Sequence, residues 1–80
     1  MNNLEDQIFD IIKRIINDSK IPKNSLLLDE GWIDSLTTIE LLTELEQTFS
    51  ITIENDELTH DNFNSLTNIT SLVSQKCQNK

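Results

Sequence analysis

The chain has 80 residues, 36% apolar and 25% charged, with a net charge of −8. That length gives one small domain with one modest core, so residues 1–80 are read as a single unit. All six Lys and Arg lie at 13–23 or at 76 and 80, while ten Asp and Glu fall between Asn24 and Gln75 with no basic side chain among them; a surface of that sign disfavours nucleic acid and anionic membranes and favours basic protein partners.

The N-terminus "MNNLEDQ" lacks the charged-then-apolar layout of a secretion signal. No apolar run approaches the length that spans a bilayer. Cys77 is the only cysteine, which rules out an internal disulfide and suits a reducing compartment. The cytoplasm is the expected location.

Residues 3–17 read as a first helix, with Leu4, Ile8, Ile11, Ile12 and Ile15 at helical spacing. Asn3 suits the N-cap, Glu5 and Asp6 suit the first turn, and Lys13 and Arg14 lie toward the other end. "NDSKIP" is expected to stop the helix through Pro22, which restricts the residue before it to extended geometry. Residues 19–34 form a long connection whose Ile21, Leu26, Leu27 and Leu28 would tuck against the core; a loop of that length in so small a domain is often functional.

A second helix spans 35–49, with Ile39, Leu42, Leu45 and Phe49 as its buried stripe, Leu41 beside it, and Glu40, Glu44 and Glu46 on other faces. "SITI" reads as an extended connector that buries Ile51 and Ile53. A short third helix is expected near 55–59, Phe63 anchors the loop after it, and a last helix starts at a Ser65 cap and runs to about Lys76, with Leu66, Ile69, Leu72 and Val73 inward. Three longer helices, one short one and a long first loop make an all-α class. Helices this short cannot bury a stripe alone, so they pack as a bundle.

Ser35 carries the functional question. It stands between Asp34 and Leu36 at the head of the second helix, after Trp32 and Ile33 in the loop. One reading is plain capping, since Asp and Ser both start helices. The other is attachment: a helix N-terminus presents free N–H groups and partial positive charge, which suit a phosphate. A catalytic nucleophile is not expected, because His60 is the only histidine and no G-x-S-x-G elbow surrounds the serine. A small hydrolase is therefore the weakest reading. His60 reads as a solvated loop residue, with no second His or Cys at metal-ligand spacing. Cys77 reads as a thiol on a frayed helix end. "ENDELTHDNFNS" lacks the register of a calcium loop.

Helix, long loop, "DSL" at the head of an acidic second helix, Ile-x-Ile connector, short helix and final helix together resemble an acyl carrier protein from about residue 4 to 75. The most specific part is "DEGWIDSLTTIELLTELEQTFSITI". The resemblance implies that the chain is a single phosphopantetheine carrier domain with that family's helical bundle, and not an enzyme. It implies a 4′-phosphopantetheine arm on Ser35, with Asp34 matching the acid that positions the modifying enzyme. Leu36 matches an apolar partner contact and Glu40 a docking acid; Ile39, Glu46 and Trp32 are assigned to the same partner face. Implied partners are a phosphopantetheinyl transferase, an adenylating acyl or aminoacyl ligase and a downstream acyltransferase or synthase, meeting a monomer. Ile33, Thr37 and Glu54 depart from the fatty-acid carriers, and "DELTHDNFNSLTNI" is nearer to the discrete D-alanyl and aminoacyl carriers. The alternative is an acidic helical interaction module with no prosthetic group, in which Ser35 is only a cap.

Overall fold

In the computed structural model, which describes residues 3–78, Asn3 is the N-cap of α1 (Leu4–Ile16), its side chain accepting the Asp6 N–H at 2.8 Å. Acids in the first turn and Lys13 and Arg14 in the last complement the helix dipole. Ile8, Ile11 and Ile12 are buried, with Leu4 and Ile15 at the rim. The helix does not wait for Pro22 to end it. Asn17 adopts a left-handed backbone, φ 57°, and the Asp18 N–H closes on the Lys13 carbonyl at 3.1 Å. Asn tolerates that conformation better than other non-glycine residues, so the stop lies in Asn17 itself.

The connection to the next helix is ordered by its own apolar residues. Ile21 and Leu27 are buried and Leu28 is half-buried, whereas Leu26, expected inside, is 42% exposed. Gly31 has φ +80°, and an added Cβ there would meet nothing within 4 Å. Its role is therefore the backbone reversal rather than space. After it the Ile33 N–H returns to the Leu27 carbonyl at 3.1 Å, and Ile33 enters the core.

α2 (Ser35–Phe49) has the expected bounds but a rotated inner face. Thr38, Leu41 and Leu45 are buried; Leu42 and Phe49 sit at the rim, and Ile39 is 46% exposed. The apolar arc of this helix is wider than its contact with the core, and periodicity alone cannot say which edge faces inward. Ser50, φ 55°, ends the helix, and the Ile51 N–H donates to the Glu46 carbonyl at 3.2 Å. The connector then buries Ile51 and Ile53 as expected, and the Glu46 carboxylate accepts the Ile53 N–H at 2.8 Å.

The helix expected near 55–59 is only a 3₁₀ turn, and a one-turn α-helix follows where a loop is expected. A 3₁₀ turn covers Asn55–Glu57, where the Glu57 carboxylate accepts the Glu54 N–H at 2.8 Å. A single α-turn, α3 (His60–Phe63), follows, capped by Thr59. Phe63 is the last residue of α3 rather than an anchor in a loop, and it is fully buried. α4 (Leu66–Gln78) starts after Ser65, whose hydroxyl accepts the Asn68 N–H at 3.1 Å, and buries the four residues expected of it. Cys77 lies in the last turn of α4, half-buried against the core.

α1 packs on both α2 and α4, and α3 packs on α4. Ile8, Ile12, Leu41, Leu45, Phe63, Ile69 and Val73 are the most deeply buried side chains. Burial of each contributes roughly 1.5–3 kcal/mol. Among the described residues the structure is entirely helical, and no helix is long and apolar enough to cross a membrane.

Candidate functional site

Asp34, not Ser35, is the N-cap of α2. Its carboxylate accepts the Thr37 N–H at 2.8 Å, and its carbonyl accepts the buried Thr38 hydroxyl at 2.7 Å. The hydrogen bonds from Thr37 hold the Asp34 carboxyl below the usual range. Ser35 is therefore the first helical residue. It is exposed, and among the described residues its hydroxyl has no hydrogen-bond partner. A capping serine would have spent that oxygen on a backbone N–H. The first turn of α2 carries no acid, so apart from the Asp34 cap the helix adds no negative charge of its own at its positive end.

Ser35 opens onto a cleft of about 260 Å³. Leu28 contributes from the loop, Ser35, Thr38 and Ile39 from α2, Leu58 and Thr59 from the link between the 3₁₀ turn and α3, and His60 from the start of α3. The sequence gives no sign that His60 belongs here, 25 positions beyond the serine. It is solvated, as expected, but it is the first residue of α3 rather than part of a loop, and its Nε2 lies 2.7 Å from Asp29 Oδ1, with Nδ1 3.6 Å from Asp61 Oδ1. Asp29 hydrogen-bonds to the imidazole and raises its pKa, and the Asp29 carboxyl is lowered in turn. Asn64, between α3 and α4, completes the clamp. Its Oδ1 accepts the Leu28 and Asp29 N–H groups at 3.0 and 3.1 Å, and its Nδ2 donates to Asp29 Oδ2 at 3.1 Å. Asp29 and Asn64 are 35 positions apart, and no short motif joins them.

Ser35, His60 and Asp29 are the residue types of a hydrolytic triad, but their bonds are not those of one. A triad histidine turns one nitrogen to the carboxylate and the other to the serine. Here Nε2 is held by Asp29, Nδ1 faces Asp61, and the serine oxygen bonds to neither nitrogen. Among the described residues no cluster of His, Cys, Asp and Glu could hold a metal ion.

Of the other expected site residues, Leu36, Ile39 and Glu40 follow Ser35 on α2, while Glu46 and Trp32 are tied elsewhere within the chain. Leu36 is 70% exposed, the most exposed of the large apolar side chains among the described residues, with Ile39 one turn on. Glu40 is exposed and borders a second groove, lined also by Ile15, Ile39, Thr43 and Glu44. Glu44 is paired with Arg14 at 2.8 Å. Glu46 has one carboxylate oxygen on the Ile53 N–H, so it props the connector. Trp32 is half-buried against the core and donates its indole N–H to Glu30 at 3.0 Å.

This arrangement fits a phosphopantetheine arm. The oxygen is free, the adjoining helix end tolerates a phosphate, and the cleft beside it is walled mainly by apolar and hydroxyl side chains suited to an uncharged chain. Comparison with known sequences agrees. A family described as "Phosphopantetheine attachment site" matches residues 6–70. The D-alanyl carrier proteins of Streptococcus pyogenes serotypes M5, M49 and M1 are each 32% identical over 74 residues, covering 91% of this chain and 94% of the relative.

Proposed function

Since the chain belongs to the phosphopantetheine-attachment family of carrier proteins, we propose that Ser35 is the serine that bears its arm and that the cargo is an aminoacyl group. The protein is a carrier and not itself an enzyme, and its prosthetic group is 4′-phosphopantetheine held covalently on a serine. The arm supplies a terminal thiol that holds the cargo as an activated thioester; the chain supplies address and orientation. Ser35 holds the phosphate at the positive end of α2. Asp34 fixes the first turn, so the serine oxygen faces outward to a modifying enzyme. Leu36 and Ile39 offer apolar contact beside it, and Glu40 offers charge. Trp32 and Glu46 are proposed as further partner contacts, although each is already tied within the chain, to Glu30 and to the Ile53 N–H.

The observation that carries the assignment is the exposed Ser35 hydroxyl, left unspent at the head of the helix and opening on the cleft. The aminoacyl cargo is supported by the similarity of this chain to D-alanyl carrier proteins. Such a carrier meets a phosphopantetheinyl transferase, a ligase that activates the cargo as an adenylate, and an acyltransferase or synthase that accepts it. We place these encounters in the cytoplasm, with the carrier as a monomer.

Intact mass after incubation with a transferase and coenzyme A tests the attachment. One phosphopantetheine increment is expected on the wild-type chain and none on Ser35→Ala. An increment retained by Ser35→Ala would move the site to another serine. Offering the holo protein to adenylating ligases with ATP and either amino acids or fatty acids tests the cargo; loading by fatty acid alone would overturn the aminoacyl reading.

A further inference from the structure

We propose that His60 is the counter-charge for the phosphodiester on Ser35, exchanging or sharing Asp29 so that its ring pairs with the phosphate and orients the arm at the mouth of the cleft. This deepens the preceding reading and rests on it. His60 and Ser35 line one cleft from different elements, α3 and α2. The remaining lining side chains are uncharged, so His60 is the one group on the wall that can carry positive charge. No Lys or Arg occurs from Asn24 to Gln75 to compete with it.

The need for a cation is local. Asp34 flanks Ser35, and its carboxyl is held in the ionised form by Thr37. A phosphodiester on Ser35 therefore adds a second negative charge beside the first, with only the helix end to offset it. The groups that face the imidazole are Asp29 from the loop and Asp61 from its own helix, and both favour the protonated ring. The ring is 55% exposed and Asp29 51%, so their pairing is solvated and weak enough to be exchanged for a new anion.

Nuclear magnetic resonance of the full chain in apo and holo forms tests this. The His60 ring is titrated in both forms, and the phosphorus resonance of the holo form is followed over the same pH range. The titration midpoint of His60 is expected to rise by about half a pH unit or more on conversion to holo, because an added anion favours the charged ring. The phosphorus resonance is expected to move with that same midpoint, and His60→Gln to remove its inflection. Equal midpoints in the two forms, with a flat phosphorus titration, would overturn the pairing. The comparison within the wild-type chain decides the matter even if the variant folds poorly. A missing mass increment overturns the Ser35 assignment and this inference together; a full increment with a flat phosphorus titration overturns this inference alone.

Discussion

Ser35 stands one position inside its helix, and that single step decides what its hydroxyl can do. Had it been the N-cap, the oxygen would be tied to a backbone N–H; with Asp34 in that place the oxygen is free. The same scale governs the pH response. The His60 pKa is raised above its ordinary 6.5, chiefly by the hydrogen bond to Asp29, so its stabilising contribution is complete below about 6.5 and fades as pH rises through the elevated value. The Asp29 pKa is lowered below its ordinary 3.8, chiefly by the hydrogen bond to His60, so its contribution holds above 3.8 and is lost as pH falls through the depressed value. The difference in melting temperature between wild type and His60→Gln should therefore be widest between 3.8 and 6.5 and should narrow on both sides. Melting curves from acid to alkaline pH check this. A difference that grows on the alkaline side would show that the pair is not what joins α3 to the loop.

At the scale of elements, the chain is held by joins between helices as much as by the helices themselves. α3 is one turn long and could not persist alone. It stands because Phe63 is fully buried and Asn64 bonds to the loop at Leu27, Leu28 and Asp29. The connector after α2 is held in the same manner, through the Glu46 carboxylate on the Ile53 N–H. Glu46→Ala would leave that half-buried donor without its acceptor, which costs about 1–2 kcal/mol. Glu46→Gln keeps an acceptor and should lose less. Urea unfolding of the two variants measures the difference; equal stabilities for Glu46→Ala and wild type would mean that water replaces the carboxylate at no cost.

For the molecule as a whole, shape and charge act together. Its extents are 32 × 32 × 18 Å, and the short dimension is less than two helix diameters, so each helix keeps a solvent-facing side. On α2 that side carries Leu36, Ile39 and Glu40 beside Ser35. The basic residues of α1 and the following loop are largely spent internally: Lys13 on Asp10, Arg14 on Glu44, Lys23 on Glu5 and Asp6. Of the α2 acids Glu44 is paired with Arg14 and Glu46 accepts the Ile53 N–H, so Glu40 is the exposed one, and with the chain's net negative charge it steers basic surfaces toward the serine. The kcat/KM for loading the holo protein by its ligase should fall about tenfold as ionic strength rises from about 50 to about 500 mM. A flat salt profile would remove charge from the docking mechanism.

Much of this was legible along the chain. The 3.6-residue repeat, Asn3 and Ser65 as caps, and the bounds of α2 are local signals, because each depends on groups within one or two turns. Asp-Ser-Leu at the head of an acidic helix pointed to Ser35 for the same reason. Tertiary structure alone decided the inward edge of α2, the one-turn helix at His60–Phe63, and the joining of Asp29, His60 and Asn64, of which His60 shares the cleft with the serine. Those outcomes depend on packing and hydrogen bonds between residues about thirty positions apart, a distance over which periodicity and capping carry no information.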